Sequence, residues 1–300
     1  MTARSIGTRR LRRWSILLAV LIIAGLAVSW ALGSLMVRPT PSPVPPAVAP
    51  ARDVQLRTSD GVVLAATYRP GARPNGPAIL LLHGNGASRA AMEPTATWLA
   101  AQGFAVLAID FRGHGQSTMR SHSFGYAEST DAHTAFDWLK HRQQGGKVAV
   151  IGISLGGAAA LIGSVGPVPA DAMVLQAAYP DIRRAIRNRI GAVAGHWAGV
   201  VLEPLLSFQA RPRFGVGPGG LSPIRALRAY RGPVLVVGGT ADRYTPPAET
   251  RALFDAAPGP KQLWWATGLD HAAVSGVATP AYRAILLSFL TRTIGAPHPA

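Results

Sequence analysis

The chain has 300 residues, 48% hydrophobic and only 15% charged, enough apolar material for one large α/β domain and too much for a disordered chain. It contains no cysteine, which excludes disulfides, thiolate catalysis and cysteine-ligated zinc. The net charge of +16 is uneven: five arginines fall within residues 1–13, and nine arginines face a single acid, Glu203, within residues 182–231. No ladder of stacking aromatics interleaves with these arginines, so nucleic acid is not an expected partner.

Residues 1–13 read as a basic cytoplasmic tail. Residues 14–37 carry no charge, and 24 such residues exceed the roughly 20 that a helix needs to cross a bilayer core. The arginines before the run place its N-terminus in the cytoplasm by the positive-inside rule. The expectation is a transmembrane signal-anchor with the rest of the chain on the outer face. The alternative is a signal peptide cleaved near Ser29 and Ala31, which would release a secreted protein. Residues 38–52 include six prolines and read as an extended linker, holding the downstream domain about 40 Å from the membrane at about 3.1 Å per residue.

From residue 53 to about 295, strand and helix patterns alternate. Strands are expected at Asp53–Arg57 and Val62–Tyr68, around a Ser59-Asp60-Gly61 turn. Further strands are expected at Ala78–His83, Phe104–Ile109, 147–151, Ala172–Gln176, Pro233–Gly238 and Lys261–Trp265. Helices are expected at about 88–102, 128–143, from 155 onward, 247–256 and 280–293. That alternation predicts a mostly parallel, doubly wound sheet of eight strands. One interval, about 181–231, is too long for a simple connection. Trp197–Phe208 within it reads as a helix and Arg211–Gly220 as a Pro/Gly-rich loop, and together they suggest a short helical cap over the sheet's carboxyl edge. Its arginines, Arg183, Arg184 and Arg187 among them, suit an anionic substrate or anionic headgroups, or form a solvated basic face.

The chemistry centres on Gly152-Ile153-Ser154-Leu155-Gly156, a serine on a sharp strand-to-helix turn flanked by glycines, which is the nucleophile-elbow pattern. A serine nucleophile needs a base, and the base needs an orienting acid. His271 follows the last strand and Asp242 follows the strand before it, so the order Ser154, Asp242, His271 fits. Asp270 is a rival acid, but it is adjacent to the histidine it would hold. An oxyanion would need two backbone N–H groups, those of Leu155 and of Asn85 in the small-residue loop His83–Ser88. Asp110, Arg112 and His114 read as a structural loop tied by ion pairs, and His133 and His141 as helix-surface residues. No metal-ligand spacing occurs, and neither a metal nor another cofactor is expected.

These motifs together resemble the α/β-hydrolase family: His-Gly-Asn at 83–85, Asp-x-Arg-Gly-His-Gly-x-Ser at 110–117, the elbow at 152–156, Gly-Thr-x-Asp at 239–242 and Gly-x-Asp-His at 268–271. The resemblance covers about residues 53–293. It implies an α/β-hydrolase fold and a serine hydrolase acting on a small-molecule or lipid acyl bond, most simply a carboxylic ester. It does not separate esterases from thioesterases or serine peptidases, and a non-catalytic envelope binding domain of the same fold is a further reading. The anchor and the arginine-rich cap lie outside the shared motifs.

Overall fold

The computed structural model describes residues 3–297. A long helix, α1 (Ala3–Met36), opens the chain, and its segment Arg10–Met36 is long and apolar enough to cross a membrane. Eight strands then build one sheet: β1 (Arg52–Arg57), β2 (Val63–Arg69), β3 (Ala78–Leu82), β4 (Ala105–Ile109), β5 (Val148–Ile153), β6 (Ala172–Gln176), β7 (Val234–Gly239) and β8 (Lys261–Ala266). Their spatial order is β8-β7-β6-β5-β3-β4-β2-β1. β1 and β2 pair antiparallel, as do β2 and β4, and every other neighbour pair is parallel. This is the mostly parallel eight-stranded sheet that the hydropathy pattern predicts.

Helices α2 (Glu93–Ala101), α3 (Glu128–Arg142) and α4 (Leu155–Ala159) follow β3, β4 and β5. The cap between β6 and β7 consists of α5 (Ile182–Ala194), α6 (His196–Ser207), α7 (Ala210–Phe214) and α8 (Pro223–Leu227). Helices α9 (Pro247–Ala256), α10 (His271–Ser275) and α11 (Pro280–Ile294) complete the chain.

Both sheet faces are covered, which is why the central strands are apolar throughout rather than alternating. In β3, Leu80 and Leu82 point into one core with Ala132, Ala135, Phe136 and Leu139 of α3. Ile79 and Leu81 point into the other, with Ala96 and Leu99 of α2 and Leu286, Phe289 and Leu290 of α11. Each such leucine or isoleucine contributes about 1.5–3 kcal/mol by leaving water, which makes this strand the rigid platform for the loop at its end.

Three expectations need correction. The first turn of the helix expected at 88–102 is a tighter 3-10 turn, Arg89–Met92, and the α-helix starts only at Glu93 with Pro94 in its first turn, where a missing N–H costs nothing. Arg211–Gly220 is not a loop throughout, since it holds most of α7 and a 3-10 turn at Pro218–Gly220. The proline-rich segment is not a free spacer. Thr40 N donates to Gly113 O at 2.7 Å and Ser42 N to Gly115 O at 3.2 Å, while Val44 O accepts from Gln116 Nε2 at 3.3 Å. Prolines cannot donate, so Thr40 and Ser42 supply the N–H groups between them, and both are used. The segment is therefore a strap lying along the domain, and the domain sits directly at the end of α1.

Candidate active site

Ser154 stands between β5 and α4 with φ 49° and ψ −107°, a left-handed conformation that costs a non-glycine residue about 1–3 kcal/mol. The turn is held from both sides: Ser154 N donates to Gln176 O at 2.9 Å, and Ala158 N donates to Ser154 O at 3.1 Å. Gly156 makes the close approach possible. A Cβ there would lie 2.2 Å from the carbonyl oxygen of Leu82, at the end of β3. The glycine spacing of the elbow is thus a packing requirement between α4 and the neighbouring strand.

Asp242 follows β7 and is buried. Its Oδ1 accepts from the N–H groups of Tyr244 and Thr245, both at 2.8 Å, and its Oδ2 lies 2.8 Å from His271 Nδ1. Three fixed partners leave this carboxylate one orientation, so the imidazole orientation is set as well. His271 is the first residue of α10 rather than a loop residue. Asp270, the rival acid, is the cap of that helix, accepting from Ala273 N at 2.9 Å. The Tyr244 ring stands edge-on to the imidazole at 5.5 Å.

Ser154, Leu155 and Asn85 line one cavity of about 310 Å³. Among the described residues, neither the Asn85 nor the Leu155 N–H has a hydrogen-bond partner. The structure therefore joins Asp242 to His271 and brings Ser154, Leu155 and Asn85 to one cavity. Ser154 and His271 are not hydrogen-bonded to each other. A larger cavity, about 650 Å³, lies between the proline-rich strap and α2 and includes none of these residues.

The loop Asp110–Ser117 plays a structural part. Asp110 is fully buried and bound by Arg89 through an ion pair and by the N–H groups of Arg89 and Gln116 at 2.6 and 2.9 Å. Arg112 bridges Asp131 and Asp60, each at 2.7 Å, and its hydrogen bond pulls the Asp60 carboxyl down to about 2. The ion pairs thus run from the loop to other elements. His114 Nε2 lies 3.3 Å from Asn85 Oδ1, which steadies the side chain of the oxyanion-loop candidate. His133 contacts Gly166 O and His141 contacts Asp137 O in its own helix. His83 and His122 are buried, and burial pushes them down to about 3 and about 4.

Several residues at the site carry no signal in the sequence. Gln176, at the end of β6, donates from Nε2 to Val274 O at 2.5 Å and Ser275 O at 3.1 Å and accepts from Tyr282 OH at 2.6 Å. It thereby fastens α10, the helix carrying His271, to the strand beside the elbow. Leu35, Met36, Arg38 and Thr40 also line the cavity over Ser154, as do Phe124, Ile182 and Ile186. Arg189 completes the basic part of that lining and lies over the Tyr244 ring at 4.8 Å. The arginines singled out from the sequence are otherwise engaged: Arg183 and Arg187 pair with the buried Glu203 at 2.9 and 3.4 Å, and Arg184 with Asp181 at 3.5 Å.

A family model described as serine aminopeptidase, S33, matches residues 73–213. An uncharacterised protein of Mycobacterium tuberculosis is 31% identical over 239 residues, covering 78% of each chain. The lysophosphatidylserine lipase of Rattus norvegicus is 31% identical over 127 residues, 40% of this chain and 31% of that protein. Among solved structures, an esterase of Pyrococcus furiosus superposes with a TM-score of 0.67 at 20% identity, covering 86% of this chain and 99% of the esterase, a likeness that speaks to the fold. Sheet order, elbow and sequence similarity agree: the chain belongs to the α/β-hydrolase superfamily and is a hydrolase of the α/β fold.

Proposed function

We propose that this protein is a serine hydrolase cleaving a carboxylic ester or related acyl bond through an acyl-enzyme. Ser154 Oγ attacks the acyl carbonyl while His271 takes its proton, and the N–H groups of Leu155 and Asn85 receive the oxyanion. His271 then returns the proton to the leaving alcohol. Water, deprotonated by the same histidine, releases the acid. Asp242 holds the Nδ1–H tautomer that leaves Nε2 free as base. The observation that carries this reading is the 2.8 Å Asp242–His271 hydrogen bond at the sheet edge where the strained Ser154 elbow stands. Catalytic contacts of this kind commonly tighten only with substrate bound, which accommodates the open Ser154–His271 pair.

The test is a fluorophosphonate probe and a p-nitrophenyl ester. Wild type labels and turns over. Ser154→Ala does not label and loses at least about 10³-fold in kcat. A mutant that still labels or keeps full turnover rejects the assignment. The description of the matching family model favours amide cleavage as a second reading. An aminoacyl anilide hydrolysed faster than the matched ester would select it.

In this reading residues 53–295 are the catalytic domain, with its cap at 181–231, and α1 is an uncleaved anchor. Ser29 Oγ donates to Leu205 O at 2.8 Å, and Gln209 Nε2 donates to Ser29 O at 3.0 Å, bonds that cleavage near Ala31 would remove. The basic residues before the span favour a domain on the outer face. The apolar lining of the cavity suits an acyl chain. Arg38 and Arg189, with no acid among the lining residues, suit an anionic group beside it.

A further inference from the structure

Helix α6 is built inside out for a water-soluble protein. Its buried residues are Gly199, Glu203 and Ser207, four apart, and Glu203 is fully buried against the arginines of α5. Its exposed large apolar residues are Trp197, Val201 and Leu205, flanked by Leu202 and continued by Phe208, with 76, 68, 45, 43 and 60% of their surface open, and Val193 at the end of α5 adds 88%. These fall at the spacing of one helical stripe. A helix facing water places its charge outward and its apolar stripe inward. Here polarity points into the protein and the apolar stripe points away.

The neighbour of this stripe is α1. Ser29 and Gly33 of α1, with Val37 just past its end, form the docked face, again four apart, and all three are buried. A Cβ on Gly33 would meet the side-chain ends of Gln209 and Arg213, which lie over this face of α1. Arg213 stacks on the Trp30 ring at 3.9 Å and donates to Trp30 O at 2.6 Å. The contact at Ser29 is seven residues before the end of α1, about 10 Å along the axis. If α1 spans a bilayer, α6 is therefore held at a depth typical of helices that lie in the headgroup and upper acyl region. The final turn of α1, Leu35 and Met36, is at the same time a wall of the cavity over Ser154.

We propose that α6 and the outer end of α1 form one membrane-embedded surface, and that the cavity over Ser154 receives its acyl substrate from the lipid phase along that surface. The substrate class is an acyl lipid resident in the bilayer rather than a water-soluble ester. Leu35 and Met36 belong both to the lining of the cavity and to the apolar span of α1, so a bilayer around α1 reaches the cavity, which is what commits the stripe to a bilayer and not to a second protein. This rests on the hydrolase reading above for the substrate and on α1 for the anchor.

Because the chain has no cysteine, single-cysteine variants can be placed and labelled without background. Nitroxides at Val201→Cys and Phe208→Cys are measured in full-length protein reconstituted in phosphatidylglycerol/phosphatidylcholine vesicles, with Asp255→Cys as the aqueous reference. Expected is preferential relaxation by oxygen at 201 and 208 and by a water-soluble nickel complex at 255. Equal nickel accessibility at all three sites overturns the proposal. A short dipolar distance between 201 labels on two copies, without oxygen preference, also overturns it by assigning the face to a second chain. In parallel, Val201→Glu with Phe208→Glu should lower hydrolysis of a vesicle-resident acyl lipid at least tenfold while leaving a soluble short-chain ester within twofold. Equal loss on both substrates, or on neither, rejects entry from the lipid phase. Wild type that turns over no ester at all would instead defeat the hydrolase reading, while the nitroxide depths would still test the embedding.

Discussion

Gln176 makes no contact that a reaction would need, yet it ties the helix carrying His271 to the strand beside the elbow. Its amide is buried and holds two carbonyls of α10 and the Tyr282 hydroxyl at once. Removing it by Gln176→Leu should let α10 drift relative to Ser154. A displacement near 1 Å costs up to about 100-fold in rate. The expected signature is a fall in kcat on a soluble ester with KM unchanged, whereas general loosening of the fold would move both. Arg38 and Arg189 differ in kind, because they line the cavity and, among the described residues, neither has an acidic partner. Reversing both, Arg38→Glu with Arg189→Glu, should raise KM for an anionic ester about tenfold or more and leave a neutral analogue of the same chain length little changed, as steady-state kinetics would read directly.

At the scale of elements, the site depends on how closely α4 approaches β3. Adding one methyl at the elbow, Gly156→Ala, would drive a Cβ against the Leu82 carbonyl, which is backbone and cannot rotate away. The expected cost is about 1–3 kcal/mol, read by chemical denaturation, with probe labelling of Ser154 lost in proportion to the displaced turn. The same approach explains why the elbow is legible in the sequence: two glycines around a serine after a β-branched strand is a pattern that packing demands. The cap helices show the reverse. Trp197–Phe208 reads as a helix from its composition, but which side of it faces the protein depends on Glu203 finding Arg183 and Arg187 across a turn. Helix α5 is equally local in its pattern, with Asp181 as cap, Ile182, Ala185, Ile186 and Ile190 at helical spacing and the arginines between them, although the sequence reading gives it no range of its own within the cap.

At the scale of the molecule, burial of two histidines sets a pH response. His83 and His122 are neutral in the fold because burial lowers them to about 3 and about 4, against about 6.5 in an unfolded chain. Between those values the unfolded chain binds more protons, so their contribution to stability is complete above pH 6.5 and declines as the pH falls toward 4. Each contributes a slope of up to about 1.4 kcal/mol per pH unit in that window. Thermal unfolding between pH 7 and 4 should therefore be less pH-dependent in His122→Gln than in wild type, by up to one proton's worth. An unchanged slope would mean that His122 is solvated.

The sequence by itself determined the sheet and marked Ser154, Asp242, His271 and the loop at 83–88 as candidates, because each of these is written locally: strands buried on both faces as unbroken apolar runs, and polar residues in short motifs at strand ends. It also determined an apolar N-terminal run long enough to cross a bilayer. Only the tertiary structure decided where that run ends up. The proline-rich segment folds back as a strap because the N–H groups of Thr40 and Ser42 find carbonyls at Gly113 and Gly115, and α1 docks on the cap through Ser29, which bonds Leu205 and Gln209. Those partners lie from about 70 to more than 170 residues away in the chain, and no local pattern encodes a contact made at that distance. The same reason hid Gln176, whose two roles exist only once β6, α10 and α11 have been brought together.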